Sequence, residues 1–293
     1  MSLSAAQKVA FRHDGCLVLD RVLTEQQLRR MNELIDSMVE QSAETTTNTA
    51  MYDLESDHRA QQPRVRGLRD PLAVDPLFTE ISVSDAVLDP IEDLLGPDLR
   101  RELAFVNIKP PGSGPLQPHQ DFAILPYTND CLVVCGLALT DSTVANGCLH
   151  VLPGSHRRPI LEHHQDGVMI GAIQADDPEF DTARMVPVEV PAGGMSIHHF
   201  RTVHGSPPNT SAGDRRVFWL DYAAEDTYPI GKPVDLQEFA QRMVRGTHTR
   251  QVRTLALEFP MPNRARRAKV LVHLQDGLAS PLYPHPEAQR HGQ

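Results

Sequence analysis

The order of apolar and polar positions divides the chain into a helical first part and a strand-rich second part. In the first part apolar residues recur at helical spacing, and Thr24 can N-cap one of these helices. The predicted helices cover residues 5–14, 25–41, 76–82 and 84–95, and a short strand covers 15–19. Residues 42–70 are polar with little periodicity, so we predict a long loop there.

From residue 99 onward the pattern changes to short apolar runs separated by glycine and proline. The predicted strands are 101–109, 119–124, 131–140, 147–152, 185–190, 194–199 and 216–224. This spacing is typical of a jelly-roll barrel or sandwich. We therefore predict a fold that is mainly β with added helices, built on a double-stranded β-helix (jelly-roll) core.

We expect all 293 residues to form a single domain, although the length alone would also permit two. A helical N-terminal part would span 1–98, the jelly-roll core 99–225 and a helical extension 226–293. Inside the core, 162–184 is a polar insertion that predicts a rim loop. The extension predicts helices near 235–245 and 264–274, a strand-like segment at 255–259 and a frayed tail after residue 280.

The formal net charge of −10 argues against non-specific binding to nucleic acid or to anionic membranes. The sequence has no apolar run near the roughly 18 residues of a membrane-spanning helix, and its first residues do not resemble a secretory signal. The four cysteines lack zinc-site spacing, and Cys131 and Cys135 fall on an apolar strand as expected for buried thiols. We expect a cytoplasmic protein, and the sequence is compatible with both a monomer and a homo-oligomer.

Two histidines and an aspartate stand out in the strand-rich part. His119 and Asp121 are two positions apart, so on a strand they would face the same side and grip one ion, which His204 would complete. Two imidazoles and one carboxylate hold Fe(II) while leaving coordination positions open for a chelating co-substrate and O₂. Arg215 follows His204 at hairpin distance and offers a planar fork for a carboxylate.

The surroundings of these residues carry further motifs. In chain order they are 107–114, 118–121, 146–156, 191–194 and 204–206. With Arg215 they make the chain resemble the phytanoyl-CoA dioxygenase family of Fe(II)/2-oxoglutarate oxygenases from about residue 10 to 225, most specifically over 105–218. The resemblance predicts the family, whereas the substrate varies widely within it.

The resemblance implies an enzyme that hydroxylates an aliphatic carbon of a small organic substrate with O₂ and 2-oxoglutarate, releasing succinate and CO₂. Iron would be held by His119, Asp121 and His204. The far carboxylate of 2-oxoglutarate would meet Arg215, with the Ser206 hydroxyl as a second donor. Desaturation or ring formation with the same cofactors is an alternative, as is a non-catalytic jelly-roll binding protein. Halogenation is disfavoured because Asp121 is present.

Neighbouring residues have competing interpretations. His198 and His199 are alternative ligands, but we expect them in the core or beside the metal, and we expect Arg216 to point away from Arg215. Lys109 and Asn107 share a strand face leading into the site and predict polar contacts with 2-oxoglutarate or substrate; a surface charge is the alternative for Lys109.

Other positions predict structure rather than chemistry. The pair 146–147 predicts a tight turn with a positive φ at the glycine, and 153–156 a second turn. For 163–164, two histidines without obvious ligand partners, we predict a solvated loop.

The substrate is the least determined part of the prediction. Arg64, Arg66 and Arg69 cluster in the long N-terminal loop of an acidic chain, and such a loop often folds over the iron in this family. We expect that they attract an anionic substrate, the alternative being a solvated basic loop. Phe122 continues the strand from His119 and predicts an apolar contact at the mouth.

Overall fold

The computed structural model describes residues 2–174, 177–231 and 234–261, together with 271, 275, 278 and 281–283. Its first helices start where the sequence predicts. Ser4 and Thr24 each form a capping box with the glutamine three residues later. These boxes begin α1 (Ala5–Asp14) and α2 (Glu25–Gln41), which flank β1 (Cys16–Leu19); α3 (Pro76–Ser82) and α4 (Asp85–Leu95) follow.

Residues 42–70 are not the structureless loop that their composition predicts. They contain β2 (Tyr52–Leu54) and β3 (Val65–Leu68), which pair with each other, and β3 also pairs with β4 (Leu99–Lys109). The prediction was wrong because the two strands are only three and four residues long and lie at the edge of a sheet. Alternation that short is hard to recognise in a polar segment.

The strand-rich part forms the predicted jelly roll. Its elements are β5 (Leu116–His119), α5 (Asp121–Ile124), β6 (Leu132–Ala138), β7 (Leu149–Val151), β8 (His164–Gln165), β9 (Val168–Met169), β10 (Val186–Val188), β11 (Met195–His199), β12 (His204–Ser206) and β13 (Arg215–Ala224). The large sheet has the order β1-β11-β6-β13-β4-β3-β2, and the small sheet has the order β10-β7-β12-β5. The pair β8-β9 forms a hairpin inside the predicted rim loop.

The two faces of the large sheet enter different cores. On β13, the alternating residues Phe218, Leu220 and Tyr222 pack with residues of α2, α3 and α4. The residues between them, Val217, Trp219 and Ala223, face the interior and pack with Leu149 and Val151 of the small sheet. The helices therefore cover one face of the sheet, and the other face lines the interior of the jelly roll.

The C-terminal extension is less helical than predicted. The helix near 235–245 is α6 (Leu236–Gln241), and the chain then forms β14 (Met243–Arg245) against β4, so the last turn of the prediction was wrong. No strand forms over 255–259. The predicted helix near 264–274 and most of the tail lie outside the described residues. In the described part of the chain, no helix is long and apolar enough to cross a membrane.

Candidate functional site

His119 and Asp121 lie where a strand ends and a short helix begins. β5 ends at His119, Gln120 is extended, and Asp121 is the first residue of α5. The predicted strand over 119–124 was therefore wrong beyond His119. The two side chains still converge: Oδ1 of Asp121 is 3.6 Å from Nε2 of His119.

His204 completes the cluster from β12. This strand pairs with β5, and His204 is the register partner of His119. Its Nε2 is 3.7 Å from Oδ2 of Asp121, and one ligand atom from each of the three residues lies within 4.8 Å of the others. Two imidazole nitrogens and a carboxylate oxygen at this spacing form a donor set that suits non-haem Fe(II).

Backbone carbonyls fix the protonation of both imidazoles. Nδ1 of His119 donates to the carbonyl of Gln117 at 2.8 Å, and Nδ1 of His204 donates to that of Thr202 at 2.9 Å. A carbonyl only accepts, so the proton of each neutral ring is on Nδ1 and the lone pair on Nε2 points into the cluster. Both rings are thus preset as metal ligands.

A third imidazole faces the same carboxylate. His198 of β11 is buried, its Nε2 is 3.8 Å from Oδ2 of Asp121, and neither ring nitrogen has a hydrogen-bond partner among the described residues. Burial disfavours an isolated charge on Asp121, and a cation held between these groups would offset that cost. His198 lies beside the cluster, as expected for it.

The backbone between the two β5–α5 ligands is fixed by His163. The N–H of Gln120 donates to Nε2 of His163 at 2.8 Å, and Nδ1 of His163 donates to the carbonyl of Leu161. His163 is fully buried, and burial lowers its pKa to about 4. Its prediction as a solvated residue was wrong, because a dipeptide of histidines in a polar insertion gives no sign of burial. His164 is the more accessible of the pair, in β8.

Arg215 enters the interior from the first position of β13. Its guanidinium donates to the carbonyl of Gly147 at 2.6 Å and to Oδ1 of Asn107 at 2.5 Å, and it is 3.5 Å from the Ser206 hydroxyl. Gly147 has φ 73°, as predicted for the turn, which turns its carbonyl toward Arg215. The Nε of Arg215 is buried without a partner among the described residues.

A small cavity adjoins the Arg215 side chain between the two sheets. Its lining residues are Gly136, Ala138, Ser142, Leu149, Val188, Val190, Ser196, Val217 and Trp219. Apolar walls with a few polar groups at one end are what a short dicarboxylate needs in order to bind through its carboxylate. The unpartnered Nε of Arg215 is a donor available for such an anion.

Lys109 is a second buried cation at the same end of the interior. It is the register partner of Arg215, and its ammonium donates to the hydroxyl and the carbonyl of Ser206 and to the carbonyl of Pro207. Burial lowers its pKa well below the usual range, and Arg215 adds to the effect. Lys109 is 6% exposed, so the surface-charge alternative does not hold. An anion between these cations would relieve their repulsion.

The competing residues His199 and Arg216 point elsewhere. His199 faces the opposite side of β11 from His198, beside Phe11 and His156. Arg216 forms ion pairs with Asp36 at 2.7 Å and with Asp214 at 3.2 Å, on the helical side of the sheet.

The three N-terminal arginines lie on and around β3 and have acidic partners. Arg64 pairs with Asp57 at 2.8 Å, and Asp53 accepts ion pairs from Arg66 at 3.2 Å and from Arg69 at 3.5 Å. Their guanidinium charges are thus partly offset by carboxylates of the same segment.

Phe122 is fully buried and meets the ring of Phe259 edge to face at 5.6 Å. It contributes to the apolar wall behind α5 rather than to an open mouth.

Comparison with known proteins settles the family. The model of the phytanoyl-CoA dioxygenase (PhyH) family matches residues 11–217. The chain belongs to this family. It is 26% identical over 262 residues to a probable alpha-ketoglutarate-dependent hypophosphite dioxygenase of Stutzerimonas stutzeri, covering 88% of this chain and 92% of that protein.

Two solved structures resemble the fold described above. The non-heme monooxygenase ThoJ is 27% identical with a TM-score of 0.66, covering 87% of this chain and 89% of its own. EvdO2 from Micromonospora carbonacea, in complex with 2-oxoglutarate, is 26% identical with a TM-score of 0.56, and the match covers 80% of this chain and 96% of the EvdO2 chain. Together with the donor set of His119, Asp121 and His204, these findings identify a non-haem Fe(II)/2-oxoglutarate-dependent dioxygenase.

Proposed function

We propose that this PhyH-family oxygenase hydroxylates an aliphatic carbon of a small organic substrate. The reaction joins one atom of O₂ to the substrate carbon and the other to succinate, while 2-oxoglutarate loses CO₂. The observation that carries the proposal is the pair of buried cations, Arg215 and Lys109, at one end of an interior that also contains the preset ligand cluster.

His119, Asp121 and His204 would hold the iron, which when bound supplies the oxidising power that no side chain has. Arg215 would bind the far carboxylate of 2-oxoglutarate, helped by the Ser206 hydroxyl and by Lys109. Asn107 orients the guanidinium through its amide oxygen. The apolar walls exclude water from this end, which strengthens each of these charge-assisted hydrogen bonds.

The substrate has to approach from the other end of the interior. On β4 the inward side chains become more accessible along the strand, from buried Lys109, through half-buried Asn107 and Phe105, to exposed Leu103. A substrate that enters past Leu103 and Phe105 would approach the ligand cluster from the side opposite Arg215.

The anionic character of the substrate stays a prediction. It rests on Arg64, Arg66 and Arg69, whose ion pairs with Asp57 and Asp53 give them a structural role as well. An anion would have to compete with those carboxylates for the guanidinium groups.

The experiment is a screen of small molecules with Fe(II), 2-oxoglutarate and O₂ that records succinate and identifies the product by mass. We expect succinate in proportion to a product that has gained one oxygen atom. A product that has lost two hydrogen atoms would instead establish desaturation or ring closure. Failure of any compound to stimulate succinate formation in iron-loaded protein would count against the proposal.

A further inference from the structure

Asp221 is the one carboxyl on the inward face of β13. The inward positions of this strand are Arg215, Val217, Trp219, Asp221 and Ala223, because the residues between them pack with the helices. Asp221 is 7% exposed, and no described residue forms a hydrogen bond or an ion pair with it. A buried carboxyl without a protein partner is costly, which makes Asp221 a candidate for binding a ligand.

The position of Asp221 is on the substrate side. It lies six residues beyond Arg215 on the same face, which corresponds to roughly 20 Å along a strand. Its register partners are Leu103 of β4 and Val134 of β6. Leu103 is 43% exposed, so β4 is accessible to solvent at this level. A ligand that passes Leu103 along β4 would reach Asp221.

A β-bulge shapes the same place. Leu103 pairs with Asp221 and Arg101 pairs with Tyr222, so Glu102 is the extra residue on β4. The carboxylate of Glu102 is already neutralised, by Arg100 at 2.6 Å and by Arg242 at 3.6 Å. Asp121 is committed to the ligand cluster. Of the acids around this part of the interior that the structure describes, Asp221 alone has no assigned partner.

Aromatic residues lie near Asp221 on the inward face of the jelly roll. Trp219 is two positions from Asp221 on the same face, and Phe105 is the register partner of Trp219. Tyr127 belongs to the same apolar cluster as Trp219. Aromatic residues near one carboxyl favour an ammonium group, through cation–π attraction and a charge-assisted hydrogen bond.

Resting on the proposed function, we infer that the substrate carries a protonated amine, in addition to any anionic group that meets the N-terminal arginines, and that Asp221 binds this amine at the end of the interior opposite Arg215. Burial, with Asp121 and Glu102, raises the pKa of Asp221 well above its usual range, so the carboxyl is neutral before the amine binds. On binding, its proton leaves to solvent and the ammonium N–H takes its place. Asp221 is thus a specificity residue and takes no part in the oxidation.

The test measures binding without turnover, by equilibrium dialysis of protein loaded with Fe(II) and 2-oxoglutarate under anaerobic conditions. The probes are 2-phenylethylamine, 2-phenylethanol and 3-phenylpropanoate, which differ in the polar end. A hydrogen bond to a charged group contributes about 1.5–3 kcal/mol, so we expect the amine to bind roughly tenfold to a hundredfold more tightly than the other two.

Two variants assign the preference to its residue. Asp221→Asn is nearly isosteric and should reduce the amine preference to within about twofold, by loss of the charge-assisted bond. The matched control is Asp214→Asn, which removes a carboxylate that pairs with Arg216 outside the pocket and should keep the preference. Affinity for 2-oxoglutarate in each variant reports that the protein is folded.

An equal or weaker affinity for the amine in the unaltered protein would overturn the inference, and so would a preference that survives in Asp221→Asn. These results are separable from the proposed function. Succinate formation in the screen without any amine preference would overturn the inference alone. An amine preference that depends on Asp221, in protein that never forms succinate, would support the inference and contradict the hydroxylase proposal.

Discussion

Arg215 and Lys109 stand directly opposite each other on β13 and β4, and neither forms an ion pair with an acid among the described residues. Burial lowers the pKa of Arg215 to about 10, which still leaves it charged at neutral pH. Two desolvated cations side by side repel each other, and an anion placed between them reverses the sign of that interaction. The geometry therefore favours a carboxylate ligand over any neutral group.

The first prediction concerns this pair. Arg215→Lys should raise the KM for 2-oxoglutarate by roughly tenfold to a hundredfold, because an ammonium cannot reproduce the planar fork and charged hydrogen bonds are lost. Arg216→Lys is the control, since Arg216 pairs with Asp36 and Asp214 on the other face. Steady-state kinetics on both variants checks this, and a larger effect at Arg216 would contradict the assignment.

Gly136 gives a second prediction for the same cavity. A Cβ at this position would lie 2.5 Å from the indole of Trp219 and 2.9 Å from the Ser196 hydroxyl, and all three residues line the cavity beside Arg215. Gly136→Ala should displace the indole into that space, weaken 2-oxoglutarate binding and cost about 1–3 kcal/mol of stability by overpacking. Gly213→Ala, where a Cβ meets nothing within 4 Å, is the control. Unchanged 2-oxoglutarate affinity in a folded Gly136→Ala variant would show that the co-substrate lies elsewhere.

The third prediction concerns the metal. His119→Ala and His204→Ala should each lower Fe(II) affinity by at least about tenfold, since even residues that only support a ligand commonly contribute that much. Iron content after anaerobic loading and dialysis measures the effect. His13→Ala serves as control because the His13 side chain is exposed and lies on α1. Full iron occupancy in both ligand variants would refute the site.

The fourth prediction is a pH dependence of stability that comes from His163. Its pKa is about 4 in the folded protein and near the ordinary 6.5 when unfolded. The unfolded chain therefore binds the proton more readily, so stability falls as the pH decreases through this window. Between pH 7 and pH 5 this group should lower the free energy of unfolding by about 2 kcal/mol.

His163→Leu separates that contribution from others. The free energy of unfolding of the variant at pH 7 should be about 1–3 kcal/mol lower than that of the unaltered protein, because the Gln120 N–H is left buried without an acceptor. Between pH 7 and pH 5 the free energy of unfolding should decrease by about 2 kcal/mol less in the variant than in the unaltered protein. Urea denaturation at the two pH values measures both terms. An identical pH dependence in the two proteins would assign the effect to other histidines.

A fifth prediction tests the anionic substrate. Among Arg64→Ala, Arg66→Ala and Arg69→Ala, at least one should raise the KM of the substrate found in the screen by roughly tenfold to a hundredfold. Affinity for 2-oxoglutarate should change little, because we propose that Arg215, and not these arginines, binds its carboxylate. If all three variants keep the substrate KM and lose only stability, the arginines serve their ion pairs with Asp53 and Asp57 alone.

Local patterns with a fixed geometry could be predicted from the sequence. The capped helix after Thr24, the outward direction of Arg216 and the positive φ at Gly147 all follow from spacing or from one residue type. The edge strands in 42–70 could not, because pairing with β4 rather than their own pattern makes them strands. The helical turn at Asp121 was missed for the related reason that one extended residue, Gln120, brings both ligands together without a shared strand.

Residues whose role depends on burial were also missed. His163 lies in a polar insertion, and its contact with Gln120 joins segments 43 residues apart. Asp221 carried a signal that spacing alone reveals, since it is the one acid at the alternating positions that begin with Arg215. That signal becomes meaningful only when the face is known to be the inner one.

The hydrogen bonds that orient His119 and His204 each run to a carbonyl two residues earlier in the chain. Ligand orientation is therefore encoded within a tripeptide and needs no distant side chain. Walls such as Trp219 and Asp221 come from other strands, so they can change in evolution while the iron-binding geometry persists. This separation explains in physical terms how one scaffold can acquire new substrates without having to rebuild its oxidising centre.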